Sequence, residues 1–156
     1  MGETLSIKRL VKIIPNLKKQ DKTIVLAGGC FDVLHPGHVV FLEKAKKAGD
    51  ILIVILESDE KVKKLKGANR PIHTQKERAK VLSALKAVDY VVMLPFMELE
   101  SSYDELIQKI KPDIIAVTRG QANIAYHKRA AAATQADLKY VTEKVGNHST
   151  STILNH

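Results

Sequence analysis

The sequence contains little of what several protein classes require. It has one cysteine, no tryptophan, only 4% aromatic residues and no long apolar run. A single thiol, Cys30, cannot close an internal disulfide, and nothing around it has metal-ligand spacing. The longest uninterrupted aliphatic stretch, Ile51 to Leu56, falls far short of the roughly twenty apolar residues that a membrane span needs. Near the start, Lys8, Arg9 and Lys12 break up the few apolar residues, so no secretory signal is expected there. A cytoplasmic location without a membrane partner is the resulting expectation. The shortage of aromatics also leaves few platforms on which single-stranded nucleic acid could stack, so nucleic acid is not the expected partner.

The residues that are present describe a globular protein. The 156 residues are 45% hydrophobic and 27% charged, which suits one domain over positions 1–156 with a sizeable core. Lys and Arg number 25 against 17 Asp and Glu, a formal net charge of +8. That excess favours anionic partners, and with stacking side chains scarce, phosphorylated small molecules rank first.

Short aliphatic runs alternate with helix-like stretches, the pattern of βαβ units around a parallel sheet. The expected strands are 23–27, 51–56, 90–94, 114–117 and 140–142, nearly continuous apolar runs that suit a sheet covered on both faces. Between them, Phe41, Leu42, Ala45 and Ala48 recur at helical spacing, and Thr74 with Glu77 forms a capping box. Ser102 with Glu105 repeats that signal, Pro112 follows as a stop, and the Ala-rich stretch 126–136 reads as a helix. Residues 4–19 read as a basic amphipathic lead-in helix with a kink or an end near Pro15. The expected fold is α/β, a single Rossmann-like doubly wound domain with a parallel sheet of about five strands. Such sheets bind ligands beyond the carboxyl ends of their strands.

The loop after the first of these strands reads Gly28-Gly29-Cys30-Phe31-Asp32-Val33-Leu34-His35-Pro36-Gly37-His38, and a helix follows. Gly28 and Gly29 allow close backbone approach to an anion, and the helix start offers unpaired N–H groups and a positive dipole end. The pattern is neither a P-loop nor a dinucleotide fingerprint, since the closing Gly-Lys-Ser/Thr and the third glycine are missing. His35 and His38 flank Pro36-Gly37, a turn that can aim both imidazoles at phosphate oxygens.

This stretch resembles the signature of the cytidylyltransferase-like nucleotidyltransferases, whose histidine motif is His-x-Gly-His. The resemblance extends along most of the chain and is strongest toward the nucleotidyltransferase part of bacterial ADP-heptose synthases. They share Gly-Cys-Phe-Asp before the histidines, Leu65-Lys66-Gly67 before Arg70-Pro71, and a segment like Ala84 to Tyr90. It implies transfer of a nucleotidyl group from ATP or CTP to a phosphorylated acceptor, with pyrophosphate released. A heptose 1-phosphate-like sugar phosphate is the favoured acceptor. Glycerol 3-phosphate or polyol-phosphate cytidylyltransferases and FMN adenylyltransferases are the enzymatic alternatives, and a nucleotide- or RNA-binding module is the non-enzymatic one.

The resemblance implies residue roles as well. His35, His38, Lys64 and Lys66 are the expected catalytic residues, with Lys63 able to replace Lys64 after a one-residue shift. The lysines belong to a basic loop over 58–67, and Arg78 follows on a helix. Gly28, Gly29, Cys30, Phe31, Asp32, Gly37, Arg78, Arg119, Gly120, Ser149, Thr150 and Ser151 are expected to bind the nucleotide. Cys30 is otherwise a packing residue, and Asp32 is either the protein carboxylate nearest to a bound Mg²⁺ or an orienter of its loop. Mg²⁺ is implied as an ion held mainly through the triphosphate, with no protein metal site, and a homodimer is implied as possible. Gln121 stands where relatives commonly carry an acid, which leaves the base and the acceptor open. His127, Lys128 and Arg129 are candidates for the acceptor's phosphate or for a solvated helix face.

Overall fold

The structure, a computed structural model, describes residues 1–144 and 154. Among the described residues six strands and six helices follow one another: β1 (Glu3–Leu5), α1 (Ile7–Lys19), β2 (Ile24–Gly29), α2 (Pro36–Lys47), β3 (Ile51–Leu56) and α3 (Asp59–Lys66). Then come α4 (Gln75–Ser83), β4 (Tyr90–Met93), α5 (Glu100–Ile110), β5 (Ile114–Arg119), α6 (Ile124–Thr134) and β6 (Asp137–Glu143). The strands form one sheet in the order β1-β4-β3-β2-β5-β6, and every pairing is parallel.

Helices cover both faces of the sheet. On one face α1, α5 and α6 bury Leu10, Ile14, Leu17, Leu106, Ile107 and Ile110 against Leu26, Ile53 and Ile115. On the other, α2 and α4 bury Phe41, Leu42, Ala45, Ala79 and Leu82 against Val25, Leu52 and Val54. Burial on both faces explains why the strands are continuous apolar runs.

The strand count is six rather than about five because β1 was not expected. It has three residues, of which only Leu5 is buried, and it is held by pairing Glu3 with Tyr90 through Leu5 with Val92. Gly2 leads into it so closely that a Cβ there would meet the Val88 carbonyl oxygen at 2.5 Å. The lead-in helix therefore begins at Ile7, capped by Ser6, and it runs through Pro15 without ending there. Pro15 is exposed while Leu10, Ile14 and Leu17 are buried, so the lost amide bond falls on the solvent side, where water can replace it.

Two other expectations change. The lysine-rich segment is the helix α3, capped by Ser58, whose hydroxyl accepts from the Lys61 amide. Helix α5 starts at Glu100 without a side-chain cap, ahead of the expected box at Ser102 and Glu105. The capping box of Thr74 and Glu77 is present as expected at the start of α4.

Chain order reverses beside β2, which has β3 on one side and β5 on the other. Strand β2 pairs with β3 over six residues, from Ile24 with Ile51 to Gly29 with Leu56. With β5 it pairs only at Val25 with Ile114 and Leu26 with Ile115. Beyond Leu26 the two strands are unpaired, and at such a reversal this fold binds ligands in the crevice outside the carboxyl ends of the strands.

Candidate active site

Gly28 and Gly29 are the last residues of β2, and the turn itself falls on Phe31, whose φ of 45° is in the left-handed region. The Phe31 ring folds back over Gly29, where a Cβ would sit 3.0 Å from it. A side chain at 29 would displace that ring, so the glycine serves ring packing as much as anion approach. The Phe31 ring also meets His38 edge-on, with centroids 5.2 Å apart.

His35 is the N-cap of α2 and is buried. Its Nδ1 accepts the Gly37 amide at 3.1 Å. An accepting Nδ1 places the neutral ring's proton on Nε2, which is then a donor. His38 lies one helical turn on and stacks on His35 with centroids 3.8 Å apart. Burial, the neighbouring His35 and the Lys66 charge together push the His38 pKa down from 6.5 to about 4. The pair therefore holds an uncharged His38 at neutral pH. Its Nδ1 is buried and has no hydrogen-bond partner among the described residues.

Asp32 is buried and holds a different part of the loop. Its carboxylate accepts from Arg70 Nε at 2.5 Å, from the Ile72 amide at 2.8 Å and from the His73 amide at 3.1 Å. Burial alone would raise its pKa, but the bonds from Arg70, His73 and Ile72 outweigh it and hold the carboxyl below its ordinary range. The carboxylate is thus fully engaged in orienting the segment around Arg70-Pro71. Among the described residues no group of three or more His, Cys, Asp or Glu side chains could hold a metal ion.

The two kinds of cation separate clearly. Arg78, expected to touch the nucleotide, has a completely buried side chain. It donates to the carbonyl oxygens of His73 (3.0 Å), Cys30 (2.5 Å) and Glu57 (2.9 Å) and to Asp59 Oδ1 (2.7 Å). Its role in this geometry is a clamp that ties the ends of β2 and β3 to α3 and α4. Lys64 is exposed, pairs with Glu98 at 2.8 Å and lies 6.0 Å from the Phe96 ring centroid. Lys66, the last residue of α3, is the lysine whose charge reaches both His38 and Cys30. Lys64 is taken up by Glu98, and Lys66 is the lysine whose charge acts on His38. Burial pushes the Cys30 thiol pKa up despite Lys66, so it stays protonated and is no nucleophile.

Across the sheet edge lies the loop after β5. Arg119 is exposed, stacks over the Tyr140 ring at 4.4 Å and lies 3.7 Å from Glu143. Gly120 takes a φ of 79°, a conformation costly for any other residue. Gln121 turns back so that its Oε1 accepts the Thr118 amide at 2.8 Å. A carboxylate could fill that acceptor role equally well, which accounts for an amide where an acid was expected. On α6, Arg129 pairs with Glu100 at 2.8 Å and Lys128 is exposed. Burial lowers the His127 pKa. Ser149, Thr150 and Ser151 lie outside the described residues.

A family model described as cytidylyltransferase-like matches residues 26–152, which include the histidine turn, α3 and the loop after β5. The chain belongs to this family. Its curated relatives include the bifunctional protein HldE of a Nitratiruptor species, 52% identical over 103 residues, or 66% of this chain and 21% of that protein. The HldE of Wolinella succinogenes is 50% identical over 111 residues, 71% of this chain and 23% of that protein. The match thus spans about a fifth of these relatives. Among solved structures, a lipopolysaccharide core biosynthesis protein from Thermoplasma volcanium superposes with a TM-score of 0.62 at 26% identity, covering 82% of this chain and 99% of that one. A pantoate-beta-alanine ligase from Francisella tularensis shares the fold, with a TM-score of 0.64 at 17% identity over 89% of this chain and 66% of that one.

Sequence reasoning missed three site residues. Arg70 and its partner Asp32 are 38 positions apart, and Glu57 and Tyr103 come together only in the fold, with the Tyr103 hydroxyl donating to Glu57 Oε2 at 2.9 Å.

Proposed function

We propose that the protein transfers AMP from ATP to a phosphorylated sugar resembling heptose 1-phosphate and releases pyrophosphate. The observation that supports this best is the stacked His35 and His38 pair at the N-terminus of α2, beside the sheet edge where β2 and β5 part. Membership of a nucleotidyltransferase family adds the reaction class. The likeness to HldE agrees with the resemblance to ADP-heptose synthases, and that resemblance supplies the two substrates.

A phosphate oxygen of the acceptor attacks the α-phosphorus. One P–O bond forms, the bond to the bridging oxygen breaks, and pyrophosphate departs with the electron pair. A phosphate monoester is already nucleophilic at neutral pH, so the protein's task is positioning and neutralising charge. The protonated Nε2 of His35 and a nitrogen of His38 would donate to phosphate oxygens, and Lys66 would counter the charge on the leaving phosphates. The amides of Gly28, Gly29 and the start of α2 would line the cradle. Asp32 is committed to Arg70 and two amides, so Mg²⁺ would arrive on the triphosphate's own oxygens.

The test is pyrophosphate release measured for ATP, CTP, GTP and UTP crossed with sugar phosphates, glycerol 3-phosphate and FMN. ATP with a sugar 1-phosphate is the expected productive pair. His35→Ala and His38→Ala should each lower its turnover by roughly a hundredfold to a thousandfold with the fold retained. Release from no pair at all, or two alanine variants with nearly full turnover, would overturn the proposal.

A further inference from the structure

Glu57 is the first residue after β3, and its backbone is fixed from both sides. Its amide donates to the Gly29 carbonyl at 3.1 Å, and its own carbonyl accepts from Arg78 at 2.9 Å. The side chain is half-buried and is not used by the phosphate chemistry above. One carboxylate oxygen accepts the Tyr103 hydroxyl, and the other, Oε1, receives no hydrogen bond from the described residues. Burial raises the Glu57 pKa, opposed by Tyr103, Lys61 and Arg78. A half-buried carboxyl with one unused oxygen beside a ligand crevice invites a donor.

Its position narrows the donor. Tyr103 packs with the core layer of α1, α5 and α6, whereas Phe31, which touches His38, packs with the layer of α2 and α4. The two groups thus stand on opposite sides of the sheet's carboxyl edge. Cys30 marks the crossing, since its carbonyl and that of Glu57 are held by the same Arg78 guanidinium. A ligand with its phosphate at Lys66 and the histidines would extend its other end over β3 toward Glu57. A second phosphate would meet the Glu57 carboxylate there, since the neighbouring Lys61 ammonium, 5.2 Å from the Tyr103 ring centroid, already donates to the Met97 carbonyl, and a bound cation would require more carboxylates than this one. A carboxylate accepting from neutral hydroxyls, next to a phenol oxygen that can also accept, suits a polyhydroxylated group.

We infer that Glu57 and Tyr103 form the wall of the acceptor subsite that recognises its hydroxyls, placing the sugar or polyol across the sheet edge from the histidine pair. This rests on the reaction proposed above and names where its second substrate lies.

The test is steady-state pyrophosphate release by Glu57→Gln and Tyr103→Phe, with ATP and the productive sugar 1-phosphate varied in turn and ethyl phosphate as an acceptor without hydroxyls. Glu57→Gln should raise the KM for the sugar phosphate roughly ten- to a hundredfold, and Tyr103→Phe roughly threefold to tenfold. The KM for ATP should stay within about twofold of wild type in both. With ethyl phosphate, wild type and variants should be equally poor. Parallel rises in both KM values, or an unchanged preference for the sugar phosphate over ethyl phosphate, would overturn the inference. Unfolding midpoints of both variants separate a binding effect from a folding defect, and if Glu57→Gln fails to fold, Tyr103→Phe alone decides. A wild-type protein inactive with every pair would sink the proposed reaction and the inference together. An active wild type with unaffected variants would sink the inference alone.

Discussion

Two sets of basic groups surround the crevice, and they differ in what they are spent on. Arg70 and Arg78 are buried and donate to protein acceptors, whereas Lys66 and Arg119 are exposed at the crevice rim. A buried guanidinium is tolerable only when nearly every donor is satisfied, and that requirement makes it a shaping element. An exposed ammonium carries no such obligation and can turn to a ligand. His38 is a third case, a half-buried base whose Nδ1 has no hydrogen-bond partner among the described residues, and it resolves the same cost by losing its charge. In this site, burial separates the cations that shape the cradle from those left exposed at its edge.

The sharpest way to break that contrast is at Arg78. Arg78→Met should destabilise the protein by about 3 kcal/mol or more, because three carbonyl oxygens and Asp59 lose their donor. Denaturant unfolding would measure it. A loss under about 1 kcal/mol would mean that water replaces the clamp and that Arg78 belongs with the ligand-facing cations.

The neutral state of His38 gives a pH signature of similar size. A base whose folded pKa lies near 4 instead of 6.5 binds its proton less readily folded than unfolded. Its contribution is intact above 6.5, erodes as pH falls through that window and levels off below about 4. The full difference is on the order of 3 kcal/mol. Unfolding at about pH 7 and about pH 4.5, either side of most of that window, should therefore show a smaller drop for His38→Gln than for wild type. Equal drops would show that His38 is charged in the folded protein.

The smallest effect separates the two lysines. Lys66→Ala should cut turnover about tenfold or more, while Lys64→Ala, which removes only an exposed pair with Glu98, should change it by less than about twofold. If the order were reversed, α3 would have to rotate when substrate binds.

How far the sequence could be read follows from the same physics. Strand β3 was legible to the residue because six consecutive aliphatic positions, Ile51 to Leu56, fill both core layers. The edge strand β1 was not, since one buried leucine makes no pattern and its partner β4 lies far along the chain. Helix α3 was hidden by its lysines, with only Val62 buried to mark a face. At the site, the histidine turn was visible because its residue types are unusual together. The function of Arg78 was not, because three of its four acceptors are backbone carbonyls that only the fold assembles. Gln121 shows the reverse error, a departure from the expected residue type that keeps its acceptor role.

The short seam between β2 and β5 has a mechanical meaning. At its amino end Asp113 accepts the Ile24 amide at 2.8 Å and Lys18 at 3.3 Å, while its own amide donates to the Ile24 carbonyl at 2.9 Å. At the carboxyl end, among the described residues, no backbone pairing joins the two strands past Leu26 and Ile115. The sheet is thus built like a clothes-peg, sprung at the base and free at the jaws, so a molecule gripped there would stiffen the strand tips while the base keeps its register.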